Sequence, residues 1–312
     1  MLLRIGLDAE GLEPGESGQS VSRRFLRDLA ERGILVLEPG GLAQLQAALA
    51  AHGPATLAQV IETMLSSSQR HERLTTSLVR LSDLASADDL LLWRAHADLL
   101  LLARYRAEEL AESTESKPEI STFDRASDSD AIEGIDRLWD AVLPAGTGRD
   151  TVWDRHFQPL AARTERVFII ERELGHVLYD DIVRARRDPS IRPRGAAWFL
   201  TRLHAAGVRW IHIATSAAKI KAKHLSVDEV QQALADWAEE KLPSSTVQWA
   251  VPDGDFPHAR WISFDGWAGF DIHQGVQTFD GPALKEGLSL RAQCLLGPQT
   301  RKHFHRLHKR DP

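Results

Sequence analysis

The sequence predicts an α/β protein built as two domains, and three observations carry that reading. The chain is 312 residues long, about twice the ordinary size of one domain. Short apolar runs alternate with amphipathic, helix-like segments in both halves, the order expected of strands joined by helical crossovers. Between the halves, from about Glu112 to Asp130, the composition shifts to STESKPEISTFDRASDSDA, which has the Ser, Asp and Glu content of a loop or linker. The expected division is a helix-rich α/β domain over 1–130, a linker and helix over 131–160, and a second α/β domain over 161–312.

The opening LLRIGLDAEG reads as a short strand ending in acids. SVSRRFLRDLAERG follows as a helix with Phe25, Leu26 and Leu29 on one face and Gly33 at its end. ILVLEPGG is a second strand closed by Pro-Gly, so the first three elements predict a parallel strand–helix–strand unit. From Leu42 to about Arg80 the pattern is helical, and ADDLLLWRAHADLLLLARYRAEELAES reads as one long Leu-rich helix. The first domain is therefore expected to hold many helices and few strands. IEGIDRLWDAVLP beyond the linker is read as a helix.

The second half repeats strand and helix more regularly. Val167 to Ile170 form a strand ending on Glu171, and a helix with Leu178, Ile182 and Val183 follows. GAAWFLTRLHAAG is a helix stopped by Gly207, WIHIATSA a strand, and SVDEVQQALADWAEEKL a helix capped by Ser226 with Glu229 at the capping-box position. TVQWAVP is a third strand, and HARWISFDGWAGFDIHQGVQTFD a hairpin turning at Asp265-Gly266. A mainly parallel sheet covered by helices is the expected result.

Composition narrows the function. Hydrophobic residues at 43% and charged residues at 26% describe a globular chain and exclude a disordered one. No apolar run is long enough to cross a bilayer, and Asp8 interrupts the start before a signal-peptide core could form, so a cytoplasmic protein with no transmembrane segment is expected. The single cysteine, Cys294, excludes an internal disulfide and a cysteine-based metal site. A net charge of −6 argues against coating nucleic acid wholesale but leaves room for a local patch such as the tail RKHFHRLHKR, Arg301 to Arg310. That tail could meet phosphates of nucleic acid or lipid headgroups, or stand as a solvated chain end.

One constellation points to chemistry. HARWISFD places His258 two residues before Arg260, and Asp265 five residues after it. On a strand, side chains alternate, so His258 and Arg260 would share a face and reach one phosphate. An imidazole can attack phosphorus, a cation can neutralise the oxygens of the transition state, and a carboxylate can fix the tautomer of a histidine.

The spacing resembles the H-x-K-x(4)-D motif of the phospholipase-D superfamily, with Arg260 where Lys is usual. The surrounding order is similar to the C-terminal domain of MIT-domain abscission proteins, also phospholipase-D-like. The corresponding pieces here are VFIIERE, the helices around Trp198 to Leu203, IHIATSA, HARWIS and DGWAGFDIHQGVQTFD, about half the chain. The resemblance implies a metal-independent phosphodiesterase or nuclease that needs no cofactor and works through a phosphohistidine. His258, Arg260 and Asp265 would be its catalytic residues. Because that mechanism uses two imidazoles and the chain carries one motif, a homodimer is expected, with His273 as the in-chain alternative. The abscission proteins bind membranes without catalysis, so a non-catalytic module reading phosphates of lipid or nucleic acid is the alternative.

Other residues are candidates for the same site. Glu171 closes one strand and Thr215 and Ser216 the next, where ligands gather in open α/β sheets, and Trp267 could stack on a base. Helix capping and core packing explain the same residues without a ligand. In the first half, Asp8, Glu62, Asp98 and Asp124 form a scattered acid set. IGLDAEG with its following helix and ILVLEP loosely resembles the PIN-like nuclease fold, which would gather such acids around Mg²⁺.

Overall fold

Apolar runs too short to be helices organise both halves of this chain, each into its own sheet. The computed structural model describes residues 2–12, 21–67, 70–75, 78–111, 118–188, 190, 194–254, 256, 258, 260–264, 268–272 and 274–294. It is a mixed α/β structure with two sheets, and its internal contacts divide it into two compact units, Leu2–Arg137 and the residues from Leu138 on.

The first unit runs β1 (Leu3–Leu7), α1 (Arg23–Arg32), β2 (Gly33–Leu37), α2 (Gly41–His52), α3 (Ala55–Leu65), β3 (His71–Arg73), α4 (Ala87–Trp93), β4 (Leu99–Leu101), α5 (Arg104–Ala111) and β5 (Glu119–Ser121). Helix α6 (Asp130–Trp139) contains the division between the units. The five strands are all parallel, in the order β3-β2-β1-β4-β5. Ser22 caps α1, its hydroxyl accepting the Phe25 N–H at 3.1 Å, and Gly33 ends the helix as expected.

Three expectations for this unit are corrected. The long Leu-rich helix is broken: Leu99 to Leu102 is buried strand and its continuation, flanked by α4 and α5. A strand buried on both faces in a parallel sheet has no alternation, so its apolar run imitates a helix core. His71–Arg73, read as helix, is the edge strand β3, with Arg70 before it donating from its buried side chain to the carbonyls of Gly33, Leu29 and Ala30. Glu119–Ser121, read as linker, is β5 at the other edge, pairing with β4. Edge strands this polar carry no apolar signal of their own.

The second unit opens with β6 (Asp140–Leu143), then α7 (Arg149–Val152), a π-helical turn over Trp153–Phe157 and α8 (Gln158–Ala161). The stretch 131–160, expected as linker and helix, therefore supplies a strand of the sheet. Next come β7 (Arg166–Ile170), α9 (Leu174–Arg187), α10 (Gly195–Ala205), β8 (Trp210–Ala214), α11 (Ala217–Lys221), α12 (Val227–Lys241), β9 (Thr246–Ala250), β10 (Trp261–Phe264), β11 (Ala268–Ile272) and β12 (Leu288–Cys294). The sheet order is β6-β12-β11-β10-β7-β8-β9.

Only β7, β8 and β9 are mutually parallel; β10, β11, β12 and β6 join antiparallel, so the sheet is mixed rather than mainly parallel. The hairpin expected at Asp265-Gly266 exists as the β10–β11 pair, with Phe264 opposite Ala268. The missed strands β6 and β12 close one side of it, and their partners lie about 150 residues apart in sequence. The core is aromatic: Phe157 makes edge contacts with Phe199, Phe270 and Phe279, at centroid separations of 5.2 to 6.1 Å. Each such buried ring contributes about 2–3 kcal/mol of apolar transfer. Among the described residues, no helix is long and apolar enough to cross a membrane.

Candidate active site

β7 ends at Ile170, and the next three residues, Glu171, Arg172 and Glu173, turn the chain into α9. Thr215, just past β8, holds that turn. Its hydroxyl accepts the Gly175 N–H at 2.9 Å and donates to the Arg172 carbonyl at 3.2 Å. Thr215 is fully buried, so it fixes the backbone of Arg172 and does not face a ligand. Ser216, also buried, precedes α11 and makes no side-chain cap bond to it.

The Arg172 guanidinium reaches out to His258, with Nη1 2.8 Å from Nδ1 and 3.1 Å from Nε2 of the exposed ring. Its Nε lies 3.4 Å from Glu173 Oε1, which also receives Lys219 Nζ at 2.7 Å. Glu173 Oε2 lies 3.5 Å from His176 Nε2. Burial works to raise the Glu173 carboxyl, but Lys219, His176 and Arg172 together hold it below the usual carboxylate range. Burial pushes the His176 imidazole down against the pull of Glu173, and its Nδ1 has no hydrogen-bond partner among the described residues.

Glu171 is only 2% exposed. Its Oε2 accepts the Val276 N–H at 3.0 Å, while Oε1 is buried and has no hydrogen-bond partner among the described residues. Burial pushes this carboxyl up to about 7; the Val276 N–H and the Arg260 charge oppose the rise, and Glu173 and Asp280 add to it. Gly275 closes over it at φ +72°, where a β-carbon would overlap Oε1 and stand 2.6 Å from Cδ. Glycine is required twice here, for the backbone and for the space.

Arg260 lies one residue before β10. The β10–β7 ladder ends with Trp261 opposite Ile170, so the next step of the register brings Arg260 opposite Glu171. The Arg260 carbonyl accepts the Ile272 N–H at 2.9 Å, which ties its backbone to β11. The expectation that His258 and Arg260 share a strand face is corrected: β10 begins at Trp261, and both residues precede it. His258 lies outside the strand, with its ring against Arg172. Asp265, Trp267 and His273, like the basic tail, lie outside the described residues.

The carboxyl edge of β7 and β8 thus assembles an exposed imidazole with the cations Arg172, Lys219 and Arg260. Ligands of open α/β sheets bind at such an edge. Sequence reasoning found Glu171, His258 and Arg260 but missed Arg172, Glu173, His176, Lys219 and Gly275. The signal was present in the tripeptide Glu171-Arg172-Glu173 ending a strand, where only the first acid was weighed.

The acid set of the first unit does not gather. Asp8 ends β1, buried, with Oδ2 2.6 Å from Arg106 Nη1 and 3.3 Å from the Ala103 N–H. Asp98 precedes β4, at the opposite end of the parallel pair, and binds Arg4 at 3.0 Å. Glu62 is exposed on α3, and Asp124 pairs with Arg104 at 3.1 Å. Beside Asp8, a depression of about 390 Å³ is bordered by Glu10, Glu38, Gln44, His52 and Ser82. Glu10 is drawn to Arg106 at 3.0 Å, and Glu38 accepts the Leu81 N–H at 2.8 Å. Among the described residues no group of three or more His, Cys, Asp or Glu side chains is placed to hold a metal ion. No known family model matches the chain, and no curated protein is significantly similar to it.

Proposed function

We propose that the second unit binds a phosphodiester at the carboxyl edge of β7 and cleaves it without a metal through His258. The observation that carries this reading is the contact of an exposed imidazole with the Arg172 guanidinium at 2.8 Å, at a strand edge that Arg260 and Lys219 also serve. Guanidinium groups clamp phosphate oxygens in two-point contacts. In the reaction a ring nitrogen of His258 forms a bond to phosphorus as the ester oxygen leaves with a proton, and water then cleaves the phosphohistidine. Arg172 and Arg260 neutralise charge on the phosphoryl oxygens.

The order of elements around this edge supports the resemblance to the phospholipase-D-like domains: a strand ending in acid, two helices, a strand ending in Thr-Ser, and the hairpin after His258. The second imidazole of that mechanism would come from a second copy of the chain. Nucleic acid is the favoured substrate class, because several cations at one strand edge suit a repeating phosphodiester backbone.

One observation favours phosphate recognition without turnover. The described partner of the His258 ring is a cation, whereas an attacking imidazole is ordinarily oriented by a carboxylate. A single assay separates the two readings: cleavage of end-labelled single-stranded and duplex DNA and RNA in EDTA, beside His258→Ala. Cleavage that survives EDTA and vanishes in the variant supports catalysis. No cleavage, with salt-sensitive binding that Arg172→Ala abolishes, leaves recognition alone.

A further inference from the structure

A carboxyl group almost wholly removed from water, with one oxygen left without a partner among the described residues, stands behind this edge and has no part in the reaction above. Glu171 is tied at Oε2 to the Val276 N–H and roofed by Gly275, so it does not touch a ligand. The ladder register instead places it opposite Arg260. Residues so placed on neighbouring strands stand about 5 Å apart at their β-carbons, within reach of a carboxylate and a long cationic side chain. Among the described residues, the charged groups that act most on Glu171 are Arg260 ahead of β10, Glu173 at the head of α9, and Asp280 after the turn over Val276–Phe279. Arg260 alone among them favours the ionised form.

We propose that Glu171 is the positioning residue for Arg260: ionised, it draws the guanidinium back against the end of β7, and protonated, it releases the guanidinium to the phosphate. This rests on the phosphate reading of the same edge. The consequence is a linkage. A bound anion that takes Arg260 away from Glu171 removes the interaction favouring the carboxylate, so the carboxyl takes up a proton as the anion binds. Affinity then falls as pH rises through neutrality, because ionised Glu171 competes with the anion for Arg260. The raised pKa of Glu171 puts the change in that range.

Sulfate is the probe, a tetrahedral dianion with no proton to lose near neutral pH. Its binding is measured calorimetrically from pH 6 to 8.5 in buffers of different ionisation enthalpy. The wild type and a His258→Asn background are compared, so that the imidazole's own titration can be subtracted. In the background protein, affinity is expected to fall roughly 3- to 10-fold over this range, with proton uptake on binding, in line with ordinary coupling energies. Adding Glu171→Gln, which keeps shape and the acceptor for Val276, should remove both the slope and the uptake. Adding Arg260→Ala should remove them as well, at lower affinity.

A slope and uptake unchanged by Glu171→Gln would overturn the proposal, as would their persistence in Arg260→Ala. Sulfate binding that is the same in wild type, Arg172→Ala and Arg260→Ala would overturn the phosphate reading itself. Circular dichroism of each variant establishes that it is folded.

Discussion

The α-carbon of Gly275 lies against the carboxyl of Glu171, so closely that a β-carbon would stand 2.6 Å from Cδ and overlap Oε1. Gly275→Ala is therefore expected to destabilise the second unit by at least about 1–3 kcal/mol, from the strained positive φ, with the overlap adding to it. Urea unfolding monitored by tryptophan fluorescence should show a lower midpoint; an unchanged midpoint would disprove the close packing.

Glu171 makes stability fall as pH rises. Its folded-state pKa of about 7 exceeds the ordinary value of 4.5, so the folded protein binds the extra proton between these values. The contribution is full below about pH 4.5 and lost as pH rises through 7, on the order of 3 kcal/mol. Glu171→Gln should flatten this part of the curve and be the more stable protein at pH 8, read from urea midpoints across pH.

His156 works in the opposite direction. It is buried, its ring bonded at Nδ1 to the Leu138 carbonyl at 3.0 Å, and burial pushes its pKa down to about 4. Its contribution is full above the unfolded value of 6.5 and is lost as pH falls through 4, about 3 kcal/mol in all. His156→Gln should weaken the loss of stability on acidification, and an equally steep acid limb would contradict the assignment.

In the first unit, Asp8 and Arg106 form an ion pair in which both side chains are less than 10% exposed. Arg106→Ala leaves the buried carboxylate without its cation and should cost about 3–5 kcal/mol, whereas Asp8→Asn should cost less. Thermal melts of the two variants test the order. Nuclease activity that requires Mg²⁺ and disappears in Asp8→Asn without loss of fold would instead return the metal reading to these acids.

The arrangement of local elements was legible wherever side-chain pattern and position agreed. Gly33 ends α1, Ser226 starts α12, and the strand leading to Glu171 and the β10–β11 hairpin stand where the apolar pattern put them. Within the candidate site, His258 and Arg260 were visible because histidine and cation at this spacing, followed by Asp265, are uncommon together, and Glu171 because it closes a strand. Leu99 to Leu102 was misread because burial on both faces erases the alternation that marks a strand, and β3, β5, β6 and β12 were missed because an edge or closing strand needs partners more than an apolar run.

What the sequence by itself determined is the α/β class, the ends of a few helices such as α1, α10 and α12, and three residues of one edge, since these follow from local propensity and periodicity. Tertiary structure alone decided that β6 and β12 close the second sheet, that Arg172 meets the His258 ring, that Asp8 and Asp98 of the first unit lie at opposite ends of their strands, and that Glu171 is walled off from water at the end of β7. Each of these depends on contacts between residues far apart in the chain, and on the desolvation and charge proximity that only packing creates.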